Sequence, residues 1–127
     1  MLVRRGERRL LETGGLLLGV APEAIYEEGV LALEAGDRLV LYTDGVTEAA
    51  NARGEMVGEE RLYGWLDEMD LALDSKAVVE SVLDRVRGFL GDAEAGDDIT
   101  VAALRVLEDG VPHSRRLEAA SPATRST

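Results

Sequence analysis

Two short apolar runs in this chain end against aspartate. Leu39-Val40-Leu41 leads into Tyr42-Thr43-Asp44-Gly45-Val46-Thr47-Glu48, and Gly96-Asp97-Asp98-Ile99-Thr100 leads into Val101-Ala102-Ala103-Leu104. Runs of this kind read as core strands. A carboxylate at the end of a core strand needs compensation, since burying an unpaired charge costs on the order of several kcal/mol. If the two strands are neighbours, Asp44 and Asp97 meet, and a shared cation is the simplest compensation. Hard oxygen ligands of this kind suit Mg²⁺ or Mn²⁺.

Bulk properties narrow the field. The chain has 127 residues, enough for one ordinary domain. It is 46% hydrophobic and 31% charged, the balance of a globular domain. The formal net charge of −11 repels phosphate backbones, so nucleic acid is not an expected partner. The absence of cysteine excludes disulfides, thiolate metal sites and cysteine nucleophiles. One histidine, His113, excludes multi-histidine metal sites and argues against a Ser-His-Asp triad. No stretch approaches the roughly 20 apolar residues of a membrane span. The arginine-rich start has no long apolar core after it, so no signal peptide is read, and a cytoplasmic protein is expected.

Along the chain, residues 2–11 read as strand, turn at Arg5-Gly6-Glu7, and strand. Gly14-Gly15 interrupts, and Leu16-Leu17-Leu18 is short, apolar and expected to be buried. Val30–Leu33 reads as a strand, Glu34-Ala35-Gly36-Asp37 as a hairpin turn, and Arg38–Thr43 as the returning strand that delivers Asp44. From Glu59 the period changes: Leu62, Trp65, Leu66 and Met69 fall at helical spacing. A second helix, capped by Asp74 or Ser75, carries a stripe of Val79, Val82, Leu83, Val86 and Phe89 or Leu90. Gly91 supplies a stop. Ile99–Val106 reads as the closing strand. The organisation is a domain over residues 1–107 and a polar tail over 108–127 with no expected regular structure. Strands followed by two helices and a strand point to an α+β fold, an antiparallel sheet with two helices on one face.

An Asp-Gly pair after a strand is most often an ordinary turn. Several motifs in order are harder to dismiss. Gly36-Asp37-Arg38-Leu39-Val40-Leu41-Tyr42-Thr43-Asp44-Gly45-Val46-Thr47-Glu48-Ala49, then Gly54-Glu55 and Gly58-Glu59-Glu60-Arg61-Leu62, then Asp97-Asp98-Ile99-Thr100-Val101, resemble the metal-dependent PPM-type serine/threonine protein phosphatases. The likeness is greatest to the bacterial sporulation and stress-response (SpoIIE-like) branch. Thr13-Gly14-Gly15-Leu16-Leu17-Leu18-Gly19-Val20 and Tyr26-Glu27-Glu28 also fit.

The resemblance implies an α-β-β-α sandwich of which this chain supplies the C-terminal portion. It implies that Asp44 and Asp97 are metal ligands, with no further catalytic residue assigned. Gly45, Thr43, Thr47 and Asp98 would support them from behind. The cofactors implied are two Mn²⁺ or Mg²⁺ ions holding a water that attacks a phosphoserine or phosphothreonine directly. The substrate implied is a small phosphorylated regulatory protein of the anti-anti-sigma type. The family's N-terminal half, with its metal-bridging aspartate, has no counterpart here. The chain is therefore expected to need that half, or to self-associate, and its activity alone is in question.

Rival readings fail on particular residues. A haloacid-dehalogenase-like site needs aspartate two positions before Asp44, where Tyr42 stands. An EF-hand loop needs oxygen ligands at alternate positions, which Thr47-Glu48-Ala49 does not supply. Trp65 reads as core, and His113 as an exposed tail residue. Arg4, Arg5, Arg8 and Arg9 read as a solvated strand face, and Glu59, Glu60, Asp67 and Glu68 as a solvated helix face. Two function classes stand: a metal-dependent protein phosphatase, and a catalytically incomplete phosphatase-like module acting through protein–protein interaction.

Overall fold

Alternate residues of Arg38–Tyr42 (β3) and Val101–Arg105 (β4) are buried, as a sheet with one covered face requires. The computed structural model describes residues 1–15, 18–108 and 118–120. β3 and β4 pair antiparallel over five positions, from Arg38 opposite Arg105 to Tyr42 opposite Val101. The other edge of β3 is taken by Leu2–Arg4 (β1), which turns through Arg5 and Gly6 into Glu7–Arg9 (β2). Glu118–Ala120 (β5) pairs with β4, giving a five-stranded antiparallel sheet in the order β2-β1-β3-β4-β5. The rest of the segment read as a tail, including His113, lies outside the described residues, as do Leu16 and Leu17.

Three helices complete the α+β fold: Asp44–Thr47 (α1), Gly58–Asp67 (α2) and Ser75–Leu90 (α3). α3 begins where Asp74 accepts the Ala77 N–H at 2.8 Å and stops at Gly91, whose φ of 59° suits glycine. Its stripe of Val78, Val79, Val82, Leu83, Val86 and Leu90 is buried. Together with Leu62 and Leu66 of α2 it packs on Val3, Val40, Val101 and Ala103. Trp65 is partly buried against the same core. Both longer helices thus cover one sheet face.

The opposite face carries Leu39 across from Leu104 and Leu41 across from Ala102. Here Leu41 is 57% exposed. Apolar side chains line a sheet face that nothing among the described residues of α1, α2 or α3 covers.

Three sequence expectations are corrected. Val30–Leu33 forms no strand, so the hairpin Val30–Thr43 is absent, although the turn at 34–37 is present. A strand has only two edges, and those of β3 are occupied by β1 and β4; Val30 is left fully exposed. Leu18 is 87% exposed rather than buried. The N-terminal arginines are not a simple solvated face. Arg4 donates to Asp37 at 2.9 and 2.6 Å, and the Arg8 guanidinium lies 5.1 Å from the centre of the Tyr63 ring while pairing with Asp67 at 3.3 Å.

Candidate functional site

The β3–β4 ladder continues one step past the strands. The Thr43 N–H donates to the Thr100 carbonyl at 3.1 Å, and the Thr100 N–H donates to Thr43 Oγ1 at 3.2 Å. The two aspartate segments therefore leave the sheet at the same end, one after β3 and the other before β4. Asp44 is the first residue of α1, whose single turn is closed by the Glu48 N–H donating to the Asp44 carbonyl at 2.8 Å.

Gly45 is buried where the two segments cross. A Cβ at this position would run into the Asp98 main-chain carbonyl oxygen and lie 2.9 Å from its carbon. The glycine serves close approach of the Asp97–Ile99 backbone. A cavity of about 360 Å³ opens beside it, lined by Gly45, Glu48, Ala49, Gly96 and Asp97.

Asp44 and Asp97 are both exposed. The burial cost expected for carboxylates at these strand ends does not arise, because each sits just beyond its strand, in α1 or in the loop. The hydroxyls of Thr43 and Thr47 both bond to main chain. Thr43 Oγ1 accepts from the main chain of Thr100, and Thr47 Oγ1 donates to the main-chain carbonyl of Asp44 at 3.2 Å. The Asp98 N–H donates to Asp97 Oδ1 at 2.7 Å, which fixes that carboxylate against its own loop. Behind the site the Tyr42 and Tyr63 hydroxyls lie 3.0 Å apart, tying β3 to α2. Burial, aided by the bond to Tyr63, pushes the Tyr42 hydroxyl well above its ordinary pKa of 10.0.

Glu48 is a candidate that the sequence reading missed. It lines the same cavity as Asp97 and stands four residues after Asp44, one helical turn on. That spacing was the available signal, hidden because Asp44-Gly45 reads as a turn.

Asp44, Glu48 and Asp97 offer donor chemistry suited to Mg²⁺ or Mn²⁺. Yet among the described residues no three of His, Cys, Asp and Glu form a group able to hold a metal ion. Mg²⁺ demands near-octahedral oxygen coordination. The donors of this chain alone do not fit a complete metal site.

Comparison with known proteins gives concordant results. The family model for Stage II sporulation protein E (SpoIIE) matches residues 1–107. Phosphoserine phosphatase RsbU of Bacillus subtilis is 33% identical over 95 residues, which are 75% of this chain and 28% of that protein. Protein IcfG of Synechocystis sp. is 26% identical over 105 residues, 82% of this chain and 16% of that protein. The chain thus spans less than a third of either curated relative. No solved structure matches. No helix among the described residues is long and apolar enough to cross a membrane.

Proposed function

The chain belongs to the SpoIIE family, and from that premise we propose that it forms part of a PPM-type protein phosphatase domain acting on phosphoserine or phosphothreonine of a regulatory protein in the cytoplasm. The observation that carries this reading is the convergence of the Asp44 and Asp97 segments at one end of the β3–β4 ladder, locked by Gly45 against Asp98. The named activity of RsbU, a phosphoserine phosphatase, supports it.

In this reading Asp44 and Asp97 are two ligands of a divalent-cation site whose remaining donors come from polypeptide outside these residues. Glu48 stands beside them. Mn²⁺ or Mg²⁺, when bound in such a site, supplies positive charge for the phosphoryl oxygens and acidifies water. The chain's own part is positional: Gly45, Thr43 and Thr100 hold the segments in register, and the Asp98 N–H holds the Asp97 carboxylate. The sheet face on which Leu41 and Leu104 stand partly exposed is where a second sheet of an α-β-β-α sandwich would pack.

The test is manganese-dependent phosphate release from a phosphoserine protein. The chain is assayed alone and with the remaining part of a phosphatase domain supplied in cis or in trans. Turnover only with the supplement, lost in Asp44→Asn, supports the reading. Robust turnover by the chain alone overturns its incompleteness, and no turnover in either arm overturns the enzymatic assignment. A second reading, an interaction module without catalysis, is favoured by the lack of a three-donor group among the described residues. It predicts partner binding that survives Asp44→Asn unchanged.

A further inference from the structure

The end of the sheet remote from Asp44 has a different chemistry. Arg38 and Arg105 face each other there across β3 and β4. Arg38 is 3% exposed, and its Nη2 donates to the carbonyls of Asp70, Leu71 and Leu73. Arg105 Nη1 donates to the Ala72 carbonyl at 2.7 Å. Arg105 Nε is buried and is the one such side-chain nitrogen or oxygen among the described residues without a partner. No carboxylate among the described residues forms a salt bridge with either arginine. Burial, and then the charge of Arg105, lower the pKa of Arg38 from its usual value.

Beside this pair lies a cavity of about 340 Å³ lined by Arg4, Arg5, Glu34, Asp37, Leu71 and Arg105, among others. Arg4 and Asp37 satisfy each other through two hydrogen bonds and form a wall. Arg5 is 87% exposed, and its nearest carboxylate, that of Glu34, is 3.9 Å away. The Glu34 side chain is itself 54% exposed and is shared with Arg4, at 3.6 Å. Asp70 spends Oδ1 on the Ala72 N–H. Among the residues that line the cavity, three guanidinium groups (Arg4, Arg5, Arg105) thus meet two carboxylates (Glu34, Asp37), leaving one positive charge in excess. On a chain of net charge −11, a cavity lined by three guanidinium groups and two carboxylates is a specific feature.

We propose that this cavity binds an oxyanion, a phosphoryl or carboxylate group borne on a partner protein, through the guanidinium groups of Arg5 and Arg105. The planar, multi-donor guanidinium is suited to both anions. The overall negative field of the chain disfavours a free small anion, whereas a partner surface adds contacts that offset the repulsion. The proposal does not depend on the phosphatase reading. Arg38 and Tyr42 are four residues apart on β3, so the two sites are separated by roughly 13 Å along the strand.

The experiment is an amide NMR titration of the chain at low salt with three probes: inorganic phosphate, a phosphoserine peptide and a glutamate-containing peptide. Saturable shifts at residues 34–37 and 71–72 with either peptide are expected, with affinity falling about fivefold or more in Arg5→Asn and Arg105→Gln. Arg5 has a φ of 49°, which asparagine tolerates, so Arg5→Asn removes the charge without straining the turn. That variant keeps the test decisive if Arg105→Gln, which frees the Ala72 carbonyl, unfolds. Absence of saturable shifts with every probe overturns the site, as does unchanged affinity in Arg5→Asn. Inorganic phosphate binding as tightly as the peptides overturns the assignment to a partner-borne group.

Discussion

Gly45 lies directly against the main-chain carbonyl of Asp98, with no room for a Cβ between them. This contact joins the two aspartate segments from opposite ends of the chain. Gly45→Ala is expected to push them apart and to destabilise the fold by about 1–3 kcal/mol, as overpacking of a tight contact does. Gly64, in the middle of α2 with open space around its Cα, is the control. Gly64→Ala is expected to stabilise by about 0.5–1 kcal/mol. Urea unfolding of the two variants measures both; equal effects would show that the Gly45 contact is not tight.

Divalent-metal binding by the isolated chain is expected to be weak. A few carboxylates plus water form a poor cage, so a dissociation constant on the order of 1 mM or weaker is anticipated for Mn²⁺. Calorimetry should show that site disappear in Asp44→Asn and in Asp97→Asn. Metal binding unchanged by both substitutions moves the site elsewhere.

Acid should loosen the sheet at the Asp37 end. Asp37 is 1% exposed and accepts hydrogen bonds from Arg4 and from the Glu34 N–H. The Arg4 bond, against the opposing effect of burial, holds its carboxyl below the ordinary 3.8. A depressed folded-state pKa means that the unfolded chain takes up the proton first. The stabilisation is therefore full above about pH 4 and is lost as pH falls through the folded-state value. Unfolding curves between about pH 2 and pH 6 should show stability falling with acid, with a shallower fall in Asp37→Asn. Parallel pH profiles for the two proteins would contradict this assignment.

Asp74 caps α3 by accepting a hydrogen bond from the Ala77 N–H. Asp74→Ala is expected to cost about 1 kcal/mol, and Asp74→Ser to recover most of it. Chemical denaturation reads both.

The apolar sheet face should make the isolated chain self-associate. Sedimentation velocity is expected to show concentration-dependent species, reduced in Leu41→Lys. A parent chain that stays monomeric at high concentration would mean that this face needs no cover.

Much of this structure was legible from residue order. The α3 stripe, its Asp74 cap and its Gly91 stop follow local rules that a single helix satisfies alone. β3 and β4 were legible because apolar runs of their length fit a covered sheet face. Val30–Leu33 was misread for a non-local reason: its pattern suits a strand, but the pattern does not reveal that β1 already occupies the edge of β3. α1 is four residues long, too short for periodicity to show, and with it went Glu48. Asp44 and Asp97 were visible as types and positions. Their exposure and the role of Gly45 depend on how two distant loops cross, which no local rule states.

The β3–β4 ladder also has a kinetic meaning. It pairs Tyr42 with Val101, so the chain between them, holding all three helices, must be looped out before the ladder can close. Contacts of such long sequence separation form slowly, because closure entropy is lost before any pairing is gained. The helices can form from local contacts, whereas the meeting of the Asp44 and Asp97 segments must wait for that closure. During synthesis the pairing cannot begin until β4 has left the ribosome, so the candidate site is among the last features of this domain to appear.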